Sequence, residues 1–147
     1  MKNLKSILIL LFISSLFVMS CKKDDDNNTT STLLSSKAWE FEVVTTTSTD
    51  AEVLLSVGLA NSLFVGTLFN FKSDGTYRFI RADSTEFETG LWTLSSDSKR
   101  LTTKKTLPTD STSITYTIKN ISSSDLKLEN NQLTSDSVAY QYVIDFK

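Results

Sequence analysis

Histidine is absent from the 147 residues, and cysteine occurs once, at Cys21. Without imidazole neither a Ser-His-Asp nor a Cys-His nucleophile can be assembled. Zinc sites draw mainly on Cys and His, so the chain holds too few ligands for one, and no metal site is expected. A single cysteine cannot close a disulfide within the chain. Positive charge is in deficit, with 15 basic against 17 acidic residues, so no basic patch favours nucleic acid. Proline is nearly missing, with Pro108 alone. Long apolar runs are scarce too. The longest, Ser6 to Met19, spans roughly 21 Å as a helix at about 1.5 Å per residue. A bilayer core of about 30 Å needs ~20 residues, so this run is short for a span.

What is present at the start reads as an address. Met1-Lys2-Asn3-Leu4-Lys5 is a basic n-region, and the run after it is an h-region, so residues 1–20 are expected to be a cleaved signal peptide. Val18-Met19-Ser20-Cys21 ends the run and resembles the bacterial lipobox. That resemblance implies a covalent lipid on Cys21, including an acyl chain such as palmitate, and cleavage just before it. No other cofactor is expected. Each buried CH₂ is worth ~0.8 kcal/mol, and two or more chains anchor firmly. An exported protein would otherwise carry an unpaired thiol. Loss of Lys2 and Lys5 takes the net charge from −2 to about −4.

Residues 21–32 contain no apolar side chain beyond Cys21 and are expected to form a disordered tether. The block Lys22, Lys23, Asp24, Asp25, Asp26 resembles the export signal of Bacteroidetes lipoproteins. It implies an outer-membrane protein facing the cell exterior; an ordinary solvated linker on a periplasm-facing protein is the alternative.

From residue 33 to 147 short alternating runs recur about every 8–12 residues, as in a sandwich or barrel. Trp39, Phe41 and Val43 share one face of the first run, and Leu33 to Lys37 before it is expected to turn as a helix that closes one end. In the next hairpin, a three-residue Ser73-Asp74-Gly75 loop pairs Phe71 with Tyr77 and Phe69 with Phe79. It gathers four aromatic rings on one face and sets Gly75 where a left-handed residue is required. Glu86 to Leu94 holds two inward sets of opposite parity, Phe87 with Thr89 and Trp92 with Leu94; a bulge near Gly90 would reconcile them. Further runs begin at Arg100, Ile114, Leu126 and Val138. Eight strands in sequence order predict an all-β, up-and-down barrel, whose interior is either filled by side chains or holds one small ligand. Residues 51–66 break the pattern. Ala51, Leu54, Leu55, Gly58, Leu59, Ser62 and Leu63 lie at helical spacing, and Thr49 with Glu52 matches a capping box. A short apolar helix or lid between strands one and two is expected, with an extended hairpin as the alternative.

Leu34-Ser35-Ser36-Lys37-Ala38-Trp39, Phe69-Asn70-Phe71-Lys72-Ser73-Asp74-Gly75-Thr76-Tyr77, Gly90-Leu91-Trp92-Thr93-Leu94, Tyr116-Thr117-Ile118 and Leu126-Lys127-Leu128 occur in an order that resembles the lipocalin-like domains of Bacteroidetes lipoproteins. The likeness implies a barrel over 33–147. Lys37-Ala38-Trp39 keeps the tryptophan of the lipocalin Gly-x-Trp opening, but the late arginine that packs over that tryptophan is missing.

Two candidate sites follow. Phe69, Phe71, Tyr77, Phe79, Trp92, Tyr116, Tyr140 and Tyr142 either line a ligand pocket or fill the core. Glu86 and Glu88 share a strand face, and carboxylate pairs can hydrolyse glycosides. A bulge at Gly90 would turn both outward, so no enzyme is expected. The expected partners are the membrane, through the lipid, and a small apolar ligand or glycan; a filled barrel would instead serve an envelope protein partner.

Overall fold

Apolar residues at every second position, broken by Ser/Asp/Gly turns, build eight antiparallel strands that close on themselves. The computed structural model describes residues 24–107, 112–133 and 139–147. The expected signal peptide, Cys21, Lys22, Lys23 and Val138 lie outside the described residues. The elements are α1 (Asp24–Ser35), β1 (Trp39–Thr46), α2 (Ala51–Phe64), β2 (Leu68–Phe71), β3 (Thr76–Ile80), β4 (Glu86–Leu94), β5 (Arg100–Leu107), β6 (Ser113–Ile121), β7 (Leu126–Leu133) and β8 (Ala139–Phe146). Each strand pairs with the next and β8 pairs with β1, which is the expected eight-stranded up-and-down barrel with a helix between strands one and two.

Asp24–Thr32, within the stretch expected as a tether, are helical in α1. Acidic residues suit the first turn of a helix, and the last turn is pinned by burial. Leu34 is fully buried, and its carbonyl accepts from the Trp39 indole at 3.0 Å. The helix therefore closes one end of the barrel over Trp39, as expected of Leu33 to Lys37. The cation that the last strand does not supply comes from Lys37, whose ammonium stands 4.5 Å from the centre of the Trp39 ring.

The β2–β3 hairpin has the register expected from its aromatics: Phe71 faces Tyr77 and Phe69 faces Phe79. Gly75 takes φ +82°, and the Asp74 carboxylate accepts from the Thr76 amide at 2.9 Å and hydroxyl at 2.6 Å. These bonds hold the Asp74 carboxyl below its usual pKa.

Four register shifts interrupt the described ladders, one of them in β6 between Ile118 and Asn120, and the other three bear on the interior. In β1 the register shifts between Phe41 and Val43, so Val44 and not Val43 joins Trp39 and Phe41 in the core. In β4 the register against β3 jumps from Phe79↔Glu88 to Ile80↔Glu86, which makes Phe87 the extra residue. A third shift lies beside Gly90, but its added residue is Thr106 on β5, so the bulge expected in β4 near Gly90 falls at Phe87 instead. Gly90 itself is required by close approach: a Cβ there would meet the Lys104 carbonyl oxygen and lie 2.6 Å from the Tyr77 ring.

β2 pairs with β1 at Trp39↔Phe69 and Glu40↔Leu68. Beyond that point α2 packs against β1. Asp50, not Thr49, caps this helix: its carboxylate accepts from the amides of Glu52 at 2.9 Å and Val53 at 3.1 Å. Asn61 then does what a neighbouring strand would do. Its Oδ1 accepts from the Val44 amide at 2.6 Å and its Nδ2 donates to the Val44 carbonyl at 3.0 Å. The face that α2 buries is the opposite of the one its leucine spacing marks. Val53, Val57, Ala60 and Phe64 turn inward, whereas Leu54, Leu55, Leu59 and Leu63 are exposed. A helix apolar nearly all round has no pattern to select its face. The Asn61 pairing and the Phe64 ring select it here.

Candidate functional site

The barrel interior divides into a filled part and a chamber. Trp39, Phe71, Tyr77, Trp92, Leu101, Leu126 and Phe146 are buried in one core cluster with Leu34. Phe71 meets Trp92 edge-on at 6.0 Å, and the Trp92 indole donates to the Lys72 carbonyl at 2.9 Å. Indole N–H groups need such a partner when buried.

Beneath α2 the side chains do not meet, and a cavity of about 280 Å³ remains. Val57, Ala60 and Phe64 roof it. Phe41, Val44, Phe69 and Phe79 form one wall, and Ile114, Tyr116, Tyr140, Tyr142 and Ile144 another. Phe64 carries the roof into the walls, with ring centres 5.7 Å from Phe41, 6.3 Å from Phe69 and 5.9 Å from Phe87. The bulge in β4 turns Phe87 into the same chamber.

Of the aromatics singled out in the sequence, Phe69, Phe79, Tyr116, Tyr140 and Tyr142 therefore border the cavity. Phe71 and Trp92 belong to the filled core. Tyr77 is buried and lines a smaller adjoining pocket of about 170 Å³ with Thr103, Lys105, Thr112 and Ile114. Asp24, Asp25 and Asp26 are the first three residues of α1.

Glu88 borders both spaces. This corrects the expectation that Glu86 and Glu88 both face outward. The β4 bulge falls at Phe87, between them, so their faces separate: Glu86 is exposed and pairs loosely with Arg78 at 3.8 Å, while Glu88 turns inward. The two carboxylates do not form a pair. Glu88 Oε1 accepts from the Tyr77 hydroxyl at 2.8 Å, and the Lys105 ammonium stands 3.7 Å from Oε2. Burial, then the bond to Glu88 and its charge, raise the Tyr77 pKa far above the usual phenol value. Burial does the same to Tyr116, aided by the nearby Tyr142, Glu88 and Tyr77. Both phenols therefore stay protonated as hydrogen-bond donors through the neutral range.

Sequence reasoning missed Glu88, Phe64 and Phe87 as lining residues. Phe64 was within reach, as the one aromatic ring in an otherwise aliphatic helical segment. Glu88 was not, because its direction depends on where β4 slips against β3.

Among the described residues no helix is long and apolar enough to cross a membrane. By sequence the chain matches no protein-family model and no curated protein. Its fold is similar to that of a solved DUF4847 family protein from Bacteroides vulgatus, 15% identical, with a TM-score of 0.45 over 75% of this chain and 92% of that one.

Proposed function

We propose that this protein is a lipid-anchored protein of the outer membrane, attached through Cys21, whose barrel receives a small apolar molecule beneath α2. The observation that carries the binding reading is the chamber of about 280 Å³ roofed by a helix and walled by aromatic rings. An apolar cavity of about 150 Å³ already holds a benzene, so this one has room for two fused rings or a medium acyl chain. A glycan fits less well, since its hydroxyl groups would find few polar partners on such walls. Binding, not catalysis, is the role these residues support, because among the described residues lining the two spaces Glu88 has no second carboxylate opposite it.

Native mass spectrometry on protein extracted from its host tests the binding reading. A bound small molecule is expected; a clean apo mass after incubation with host lipid extract would remove it. Labelled palmitate tests the anchor: incorporation is expected in the natural chain and its loss in Cys21→Ser. Protease shaving of whole cells separates the exterior-facing from the periplasm-facing orientation.

One observation favours a second reading, that of an interaction module in the envelope. Leu55, Leu59 and Leu63 on α2 are each more than half exposed, and clustered exposed leucines on a folded surface mark contact sites. A partner lost on Leu59→Asp, with no ligand in the barrel, is the result that would favour it.

A further inference from the structure

The chamber is mostly apolar, and Glu88 is the charged group among the described residues that line it. A carboxylate in such surroundings is costly unless its acceptor sites are satisfied. Here they are satisfied in part. Tyr77 donates to Oε1, whereas Lys105 at 3.7 Å from Oε2 stands beyond a good hydrogen bond. An ionised carboxylate has about four lone-pair sites. Tyr116 lines the same cavity as Glu88, and its hydroxyl makes no hydrogen bond among the described residues. The cavity wall thus carries an acceptor and a donor, each with spare capacity.

Resting on the ligand-site reading above, we propose that the cavity selects an apolar molecule that ends in a neutral hydroxyl. That hydroxyl donates to Glu88 and accepts from Tyr116. The other common head groups each fail one side of this pair. A carboxylate meets the like charge of Glu88, which Lys105 at 3.7 Å offsets only in part. An ammonium satisfies Glu88 but has no lone pair for Tyr116. A bare hydrocarbon leaves both groups as they are. The site is therefore selective against free fatty acids, although its walls suit their chains.

Calorimetric titration of the folded protein with naphthalene, naphthol and naphthoate near neutral pH tests this, since the three share one ring system of suitable size. A hydrogen bond to a charged acceptor corresponds to about tenfold or more in affinity. Naphthol is expected to exceed both naphthalene and naphthoate by at least about that factor. Glu88→Gln removes the charge and keeps the shape, and should narrow the naphthol-to-naphthoate ratio about tenfold. Tyr116→Phe should weaken naphthol and leave naphthalene unchanged. Naphthalene binding as well as naphthol, or naphthoate binding as well as naphthol, would overturn the selectivity and leave the chamber as a plain apolar site. Failure of all three probes to bind would overturn the ligand-site reading as well.

Discussion

Replacing Asn61 by alanine removes the two hydrogen bonds that join α2 to the edge of β1, at 2.6 and 3.0 Å. A neutral hydrogen bond contributes about 0.5–1.5 kcal/mol net, and an orphaned buried polar group costs about 1–3 kcal/mol. Val44 is buried, so its amide and carbonyl would both lose their partners. The site is partly open on the helix side, so water recovers some of this. The expected loss for Asn61→Ala is about 2–3 kcal/mol. With a urea slope of about 1–3 kcal/mol/M, the midpoint should fall by roughly 0.7–3 M with the slope unchanged. Hydrogen exchange supplies the local readout, since the Val44 amide should lose protection before its neighbours paired with β8. Asn61→Asp sharpens the logic. It keeps an acceptor for the Val44 amide but sets a second acceptor against the Val44 carbonyl, so it should be no better than alanine while ionised. A loss below about 0.5 kcal/mol together with a fully protected Val44 amide would refute the view that Asn61 stands in for a strand.

Gly90→Ala should destabilise by about 3 kcal/mol or more, because its Cβ would meet backbone at Lys104 and the buried Tyr77 ring; thermal unfolding measures it, and a near-neutral effect would place the strands farther apart than described. Raised pKa values at Tyr77 and Tyr116 mean that the folded state holds its protons after the unfolded chain begins to lose them, at the ordinary value of 10.0. Their stabilisation should be fully present below that pH and fall as pH rises above it, and Tyr77→Phe should flatten the alkaline limb of a melting-temperature profile. Thr67 is 1% exposed and its hydroxyl has no partner among the described residues. Thr67→Val should be neutral or stabilise by up to about 1 kcal/mol in urea unfolding, and a clear loss would reveal a bond to bound water.

Much of the barrel was legible because its signals are local. Eight strands could be counted from alternation and turn residues. The β2–β3 register followed from four aromatics and one glycine. The lid helix was legible as a helix, since Asp50 to Phe64 has a cap and no breaker stronger than Gly58. Its face was not legible. Leu54, Leu55, Leu59 and Leu63 mark a stripe as plainly as Val53, Val57, Ala60 and Phe64 do, and hydrophobicity cannot choose between them. The candidate site was legible in half: Tyr116, Tyr140 and Tyr142 follow from strand parity, whereas Phe71 and Trp92 share that parity and fill the core instead.

The sequence by itself determined strand number, strand order and the closure of one end by Leu34 and Trp39, because each depends on neighbours in the chain or on simple alternation. Tertiary structure decided where the interior stays open and which charged group enters it. A bulge is a mismatch between two strands, visible in neither alone. The slip at Phe87 turned Glu88 inward against Tyr77, and the bond from Asn61 to Val44 held α2 over the space left above it. Both depend on contacts between segments distant in sequence, and together they make the chamber.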